Sequence, residues 1–184
     1  MLPPFNDTGL LPPNDYELTI EQLRQSILVH GPEDYWNWDT QWRLKLVDNL
    51  EIMVKQLWQI GITDIFIDGS FVEDKAHPND IDGNFVCDLM DIASGRLLRE
   101  LNKLDEHKVW TWNHNERRAH PSSVKKQLPM WHIYRVELYP HYGQFSGLRD
   151  EFGNDMTFPA AFRKTRTTNQ AKGIVKIGAP DDSQ

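Results

Sequence analysis

Apolar residues recur every three or four positions toward the end of the first third of the chain. Trp42, Leu46, Leu50, Met53, Leu57 and Ile60 fall on one helical stripe, Asp39 precedes them as a candidate N-cap, and Gly61 follows where a C-cap belongs. A long amphipathic helix is therefore predicted between Asp39 and Gly61. Upstream, Thr19 and Gln22 form a capping-box pattern ahead of Ile20, Leu23, Ile27 and Leu28, which predicts a helix ending before Gly31-Pro32. Residues 1–15, with four prolines, read as an extended arm laid against the domain.

After Gly61 the period changes from helical to extended. Thr63 to Asp68 and Ile81 to Val86 are short runs rich in β-branched and aromatic residues, and both read as strands. The turn Gly69-Ser70 lies between them. Ile92 to Leu104 reads as an amphipathic helix, Lys108 to Trp112 and Trp131 to Tyr139 as strands, and 113–130 as a polar loop. Lys172 to Ile177 alternates and reads as an added edge strand. The pattern predicts a mixed α/β domain over 16–184: a sheet of about five strands covered by helices.

Composition narrows the class. The apolar fraction is 39%, enough for one core, and no apolar run approaches the length of a membrane span. The first residues lack a basic region followed by an apolar one, and the single cysteine, Cys87, sits in an apolar run; a cytoplasmic protein is expected. The net charge of −7 argues against a protein that coats nucleic acid with its whole surface. Two basic clusters read either as local grooves or as solvated charge: Arg117, Arg118, Lys125 and Lys126, and then Arg163, Lys164, Arg166, Lys172 and Lys176.

The chemistry concentrates between Asp68 and Asp82. On a strand, residues two apart share a face, so the carboxylates of Asp80 and Asp82 converge while Ile81 turns away. Paired carboxylates repel unless a cation or proton lies between them, and oxygen ligands of this kind suit Mg²⁺ held together with substrate phosphates. Gly69 and Ser70 directly follow a strand, where a glycine admits a close phosphate and a serine adds a hydroxyl and an amide. Each element is common by itself; the ordered combination is the informative feature.

Strand, Gly-Ser, nine residues and Asp-x-Asp heading a second strand resembles the signature of the DNA-polymerase-β-like nucleotidyltransferase superfamily. Pro78-Asn79-Asp80-Ile81-Asp82 resembles its minimal bacterial members. The opening Pro3-Pro4-Phe5-Asn6 with Gly9-Leu10-Leu11-Pro12-Pro13, and Lys172 to Ile177 near the end, are similar to a group of short bacterial and phage proteins placed in that superfamily. The resemblance implies a nucleotidyltransferase core. It implies that Gly69 and Ser70 hold the phosphates of a nucleoside triphosphate such as ATP, and that Asp80 and Asp82 bind two Mg²⁺ ions, with Mn²⁺ as an alternative. It requires a third carboxylate on a later strand, for which Glu137 is the candidate, with pairing to Arg135 as the competing reading. Departures from the pattern are Gly83-Asn84, where relatives run apolar, and glutamate rather than aspartate at the third position.

The implied activity is transfer of a nucleoside monophosphate to a hydroxyl on an RNA or tRNA end, a protein side chain or a small molecule. Short members of the superfamily serve as toxins with a cognate antitoxin, or in phage defence, and that setting comes with the resemblance. The alternatives are a catalytically inactive nucleotide- or protein-binding module of the same fold, and an interaction protein acting through Tyr35, Trp36, Trp38 and Trp42. Seven histidines show no zinc-site spacing, and Cys87 reads as a core thiol.

Overall fold

The long helix and the two strands that follow it organise the molecule, which we describe from a computed structural model covering residues 2–33, 35–165 and 168–179. In chain order the elements are β1 (Asp15–Leu18), α1 (Ile20–Arg24), α2 (Ile27–His30), α3 (Thr40–Gln59), β2 (Ile65–Asp68) and a 3₁₀ turn at Gly69–Val72. Then follow β3 (Ile81–Val86), α4 (Leu89–Ala93), α5 (Arg96–Leu104), β4 (Arg118–His120), β5 (Ser123–Gln127), α6 (Pro129–Tyr134) and β6 (Val136–His141). The chain continues through β7 (Phe145–Arg149), β8 (Asp155–Thr157), α7 (Phe158–Phe162) and β9 (Ile174–Ile177).

The fold is mixed α/β. A five-stranded mixed sheet runs in the order β1-β9-β2-β3-β6, and two separate hairpins, β4–β5 and β7–β8, stand outside it. β3 pairs antiparallel with β2 and parallel with β6. Alternation sorts the sheet's faces. Ile65, Ile67, Ile81, Phe85, Val136, Leu138, Val175 and Ile177 join one buried cluster with Leu46, Leu50, Met53, Val54 and Leu57 of α3. Asp68, Asp82, Asn84, Glu137 and Tyr139 take the other set of positions and face away from that core. Among the described residues no helix is long and apolar enough to cross a membrane.

Several elements differ from the sequence expectation. The first helix is two short ones, because Ser26 donates its hydroxyl to Leu23 O (2.8 Å) and then accepts from Leu28 N to cap α2. The helix expected over Ile92–Leu104 breaks at Gly95, whose φ of +67° is left-handed. Trp131 to Tyr139 is not one strand: Pro129 opens α6, Arg135 ends it with φ +55°, and β6 begins only at Val136. Lys108 to Trp112 forms no strand; Asn102 satisfies the Trp110 backbone from the side, and the Trp110 indole donates to Gln56. The expected loop at 113–130 contains the β4–β5 hairpin. β9 is interior rather than an edge, since the end of the N-terminal arm continues into β1 and pairs with it in parallel.

Candidate functional site

Three carboxylates stand in line across three adjacent strands. Asp68 at the end of β2 lies opposite Asp82 of β3, and Asp82 lies opposite Glu137 of β6. Directly opposed residues project from the same face, so the three acids share one ledge. Asp80 sits one residue before β3, and its Oδ2 accepts the Trp131 indole N–H at 2.6 Å. The structure thus brings Asp80, Asp82 and Glu137 to the same end of the sheet.

Gly69 completes this end. It follows β2 with φ +74°, a conformation that favours glycine, and a Cβ added there would fall 2.7 Å from Asp82 Oδ2 and 3.1 Å from Asp82 Cβ. The Gly69 backbone is therefore pressed against the Asp82 carboxylate, and half-buried Ser70 follows it. Gly83, one of the departures in the motif, has a packing reason: a Cβ would meet Phe66 O at 2.4 Å and Leu138 Cδ2 at 2.7 Å. Asn84, the other departure, is fully buried, and neither end of its amide has a partner among the described residues.

The outer two carboxylates are answered by cations. Lys172 Nζ lies 2.9 Å from Asp68 Oδ1 and 2.6 Å from Glu73 Oε1. Burial opposes the Lys172 charge, but the two carboxylates outweigh it and its pKa is raised. On the other side Glu137 is only 4% exposed. Its Oε1 accepts from Leu128 N at 2.8 Å with Arg117 Nη1 at 3.6 Å, and its Oε2 accepts the Tyr139 hydroxyl. Arg117, not Arg135, is its cationic neighbour. Arg135 instead stacks its guanidinium on the Trp131 ring, 3.8 Å from the centroid.

The segment joining Gly69-Ser70 to Asp80 is fixed from α3. Arg43 is fully buried and donates to Leu28 O (2.5 Å), Phe71 O (2.8 Å), Glu73 O (3.3 Å) and Lys75 O (2.5 Å). Burial pulls its pKa down to about 9, with Asp74 and Asp39 pulling the other way, so it stays charged at neutral pH. Trp42 donates its indole N–H to Pro78 O (2.6 Å) and stacks on His77, which meets Asp39 Oδ2 at 2.8 Å. The Trp42 backbone N–H, then His77, hold the Asp39 pKa below its ordinary value. Sequence reasoning missed Arg43; an arginine on the apolar stripe's flank, one residue after Trp42, was its only sign. It also placed the aromatic cluster as one unit, whereas Trp38 covers Arg43, Trp42 holds the motif loop, and Trp36 is 93% exposed.

The described members of the second basic cluster are each met by an acidic partner. Arg163 pairs with Asp15, Lys164 with Glu151, Lys176 with Asp64, and Lys172 is buried as described; Arg166 lies outside the described residues. Burial lifts the Cys87 thiol to a pKa of about 11, in keeping with an inert thiol.

Among the described residues no cluster of three or more His, Cys, Asp or Glu is arranged as a ready-made metal cage. Nor do the carboxylates line the shallow clefts by the β7–β8 hairpin and along α5. The donor set is instead a row of carboxylates beside a glycine backbone, with Asp80 and Asp82 half-buried and Glu137 buried. Oxygen donors of this kind fit a Mg²⁺ ion that takes part of its shell from other ligands.

The fold and site define an α/β protein with an acidic ledge on the sheet face turned away from α3. Residues 3–178 match a family model described as a family of unknown function (DUF6932), and the chain belongs to that family. No curated protein and no solved structure matches it.

Proposed function

We propose that the chain is a Mg²⁺-dependent nucleotidyltransferase that moves a nucleoside monophosphate from a nucleoside triphosphate to a hydroxyl acceptor, breaking the α–β phosphoanhydride bond and releasing pyrophosphate. The observation that carries this reading is the approach of Gly69 to the Asp82 carboxylate, which joins the glycine-serine turn to the Asp80/Asp82 pair. Asp80 and Asp82 would hold the cation, with Glu137 as the third carboxylate. When bound, Mg²⁺ supplies charge neutralisation at the phosphates and lowers the pKa of the attacking hydroxyl. The Gly69 and Ser70 backbone receives the terminal phosphates, and the Arg43 contacts keep the following loop in place. Trp131 fixes the Asp80 carboxylate by donating its indole N–H to one oxygen. A cytoplasmic setting and a cognate antitoxin belong to the same proposal.

One observation favours a second reading, a nucleotide- or protein-binding module without turnover. Glu137 already accepts from Leu128 N and Tyr139 with Arg117 beside it, so its charge is met from within the protein. Calorimetric titration of each nucleoside triphosphate with Mg²⁺ tests the site, using wild type and Asp80→Asn/Asp82→Asn. Asparagine keeps an acceptor for the Trp131 indole, so the variant tests charge rather than folding. Mg²⁺-dependent binding that the variant loses supports the site, and transfer of labelled nucleotide to RNA or protein separates the two readings. Wild type that binds no nucleotide with Mg²⁺ refutes both nucleotide readings.

A further inference from the structure

The β4–β5 hairpin and the helix after it carry a charge pattern that the carboxylate ledge does not account for. From Arg117 to Arg135 there are five Lys or Arg, two His and no Asp or Glu, in a chain whose net charge is −7. Arg118, Lys125 and Lys126 are exposed and make no ion pair among the described residues. Burial does not explain the hairpin, because it stands apart from the main sheet and Val124 is fully exposed. A two-stranded ribbon of this kind is marginal without further anchoring.

The anchors lead to the acidic ledge. At the root of β4, Arg117 reaches Glu137 Oε1 (3.6 Å), the Tyr139 hydroxyl (2.7 Å) and Lys126 O (3.1 Å). At the end of β5, Leu128 N donates to the same Glu137 oxygen. Near the turn, His120 packs edge-on against Trp131 at 5.2 Å, and Trp131 is the residue that holds Asp80. Arg135 stacks on the same indole, with its Nη2 3.3 Å from His120 Nε2. The basic ribbon is thus rooted on one carboxylate of the ledge and lies one ring away from another.

We propose that this ribbon binds the phosphodiester backbone of a single-stranded nucleic acid and leads its terminal hydroxyl to the Asp80/Asp82 ledge, which names the acceptor class and rests on the transferase reading above. Unpaired Lys and Arg beside planar cation and imidazole faces are what a flexible phosphate chain with exposed bases would meet. An acidic ledge repels such a chain, and a basic ribbon at its rim supplies the compensating attraction.

Fluorescence anisotropy with short labelled single-stranded RNA, and DNA of the same sequence, tests this on wild type and Lys125→Ala/Lys126→Ala. Both lysines are solvent-exposed, so folding is preserved, and thermal melting checks it. Each phosphate contact contributes a slope of ~0.7 in log affinity against log salt, about fivefold at 0.1 M salt relative to 1 M. The double variant should therefore bind roughly 25-fold more weakly at about 0.1 M salt, with the slope reduced by about 1.4. Tighter binding of RNA or of DNA identifies which strand is taken. The proposal is overturned if wild type binds neither strand, if the variant binds as well as wild type, or if polyglutamate of equal charge competes as well as the oligonucleotide. Titration of Mg²⁺ and ATP on the same proteins keeps the two proposals apart. Lost strand binding with intact nucleotide binding in the variant supports the ribbon's role, whereas strand binding by a wild type that takes no nucleotide sinks the transferase reading alone.

Discussion

Arg43→Met is the substitution whose consequence follows most directly from the geometry. Methionine matches the aliphatic stem of Arg43 and its packing against Trp38 and Phe71, whose ring centroids lie 4.0 and 5.0 Å from the guanidinium carbon, but it donates nothing. Four backbone carbonyls lose a charged donor. Those of Glu73 and Lys75 are only partly buried and can turn to water, whereas the bonds to Leu28 O and Phe71 O are buried. Hydrogen bonds to charged groups are worth ~1.5–3 kcal/mol each. Two such losses, eased by removing a buried charge that resists desolvation, give about 3–5 kcal/mol, in line with other broken buried charge contacts. That is a large part of the ~5–15 kcal/mol available to a domain of this size. Urea unfolding at neutral pH measures it, with an unchanged m-value showing that the loss lies in the folded state. Arg43→Lys should lose less, since it keeps the charge, yet a compact ammonium cannot span four carbonyls. A Met variant within about 1 kcal/mol of wild type would refute the claim that Arg43 holds the 71–75 segment.

Two further outcomes test the sheet. Gly83→Ala should destabilise the protein by ~2 kcal/mol or more, since its Cβ would meet the Phe66 carbonyl at 2.4 Å within the β2–β3 ladder and backbone cannot step aside cheaply; thermal or urea unfolding reads this. Lys172→Met should cost ~3–5 kcal/mol at neutral pH by leaving Asp68 and Glu73 without their shared cation. The pH dependence has a defined sign: the folded pKa of Lys172 is raised above 10.5, so its contribution is complete below 10.5 and disappears as pH climbs through the folded value. The stability gap between wild type and variant should therefore hold to about pH 10 and narrow above it, and a gap that widens with alkaline pH would contradict the ion pair.

What the sequence revealed depended on how much of each element's signal was local. α3 was legible because twenty residues repeat one period and Asp39 caps them, accepting from Trp42 N at 3.0 Å. β2 and β3 were legible because both faces' residues announce themselves, apolar toward α3 and acidic away from it. α6 was misread because Trp131-His132-Ile133-Tyr134 alternates like a strand over a stretch too short to show a helical period; Pro129 at the first helical position was the available clue. β1 was missed because Asp15-Tyr16-Glu17-Leu18 carries little β preference and is a strand only by pairing with β9, more than 150 residues later in the chain. The Asp80, Asp82 and Gly69 positions were legible from spacing, but the partners that hold them were not. Arg43, Trp131 and Arg117 come from distant segments, and nothing local distinguishes them from surface or core residues.

The row of carboxylates divides its labour by position. Three acids on neighbouring strands concentrate negative charge on one sheet face. Cations stand at the flanks, Lys172 against Asp68 and Arg117 against Glu137, and burial still raises the Asp68 pKa. Asp82 occupies the middle of the row, against the Gly69 backbone, and Asp80 stands at the open end with one oxygen bonded to Trp131. The flanking cations lower the cost of assembling the row; Lys172 fixes Asp68 through a short, buried contact, and Arg117 stands 3.6 Å from Glu137. On the transferase proposal, a divalent cation and its phosphates would meet Asp80 and Asp82, while Glu137 is already held by Leu128 N, Tyr139 and Arg117. Arg117 is also the root of the basic ribbon. A strand that engages the ribbon would therefore pull on the residue that occupies the third carboxylate, which couples acceptor binding to completion of the ledge. Comparing Mg²⁺-dependent nucleotide affinity with and without a bound oligonucleotide reads that coupling. If the coupling operates, nucleotide binding tightens when the strand is present. Equal affinity would show that Arg117 keeps its hold on Glu137 throughout.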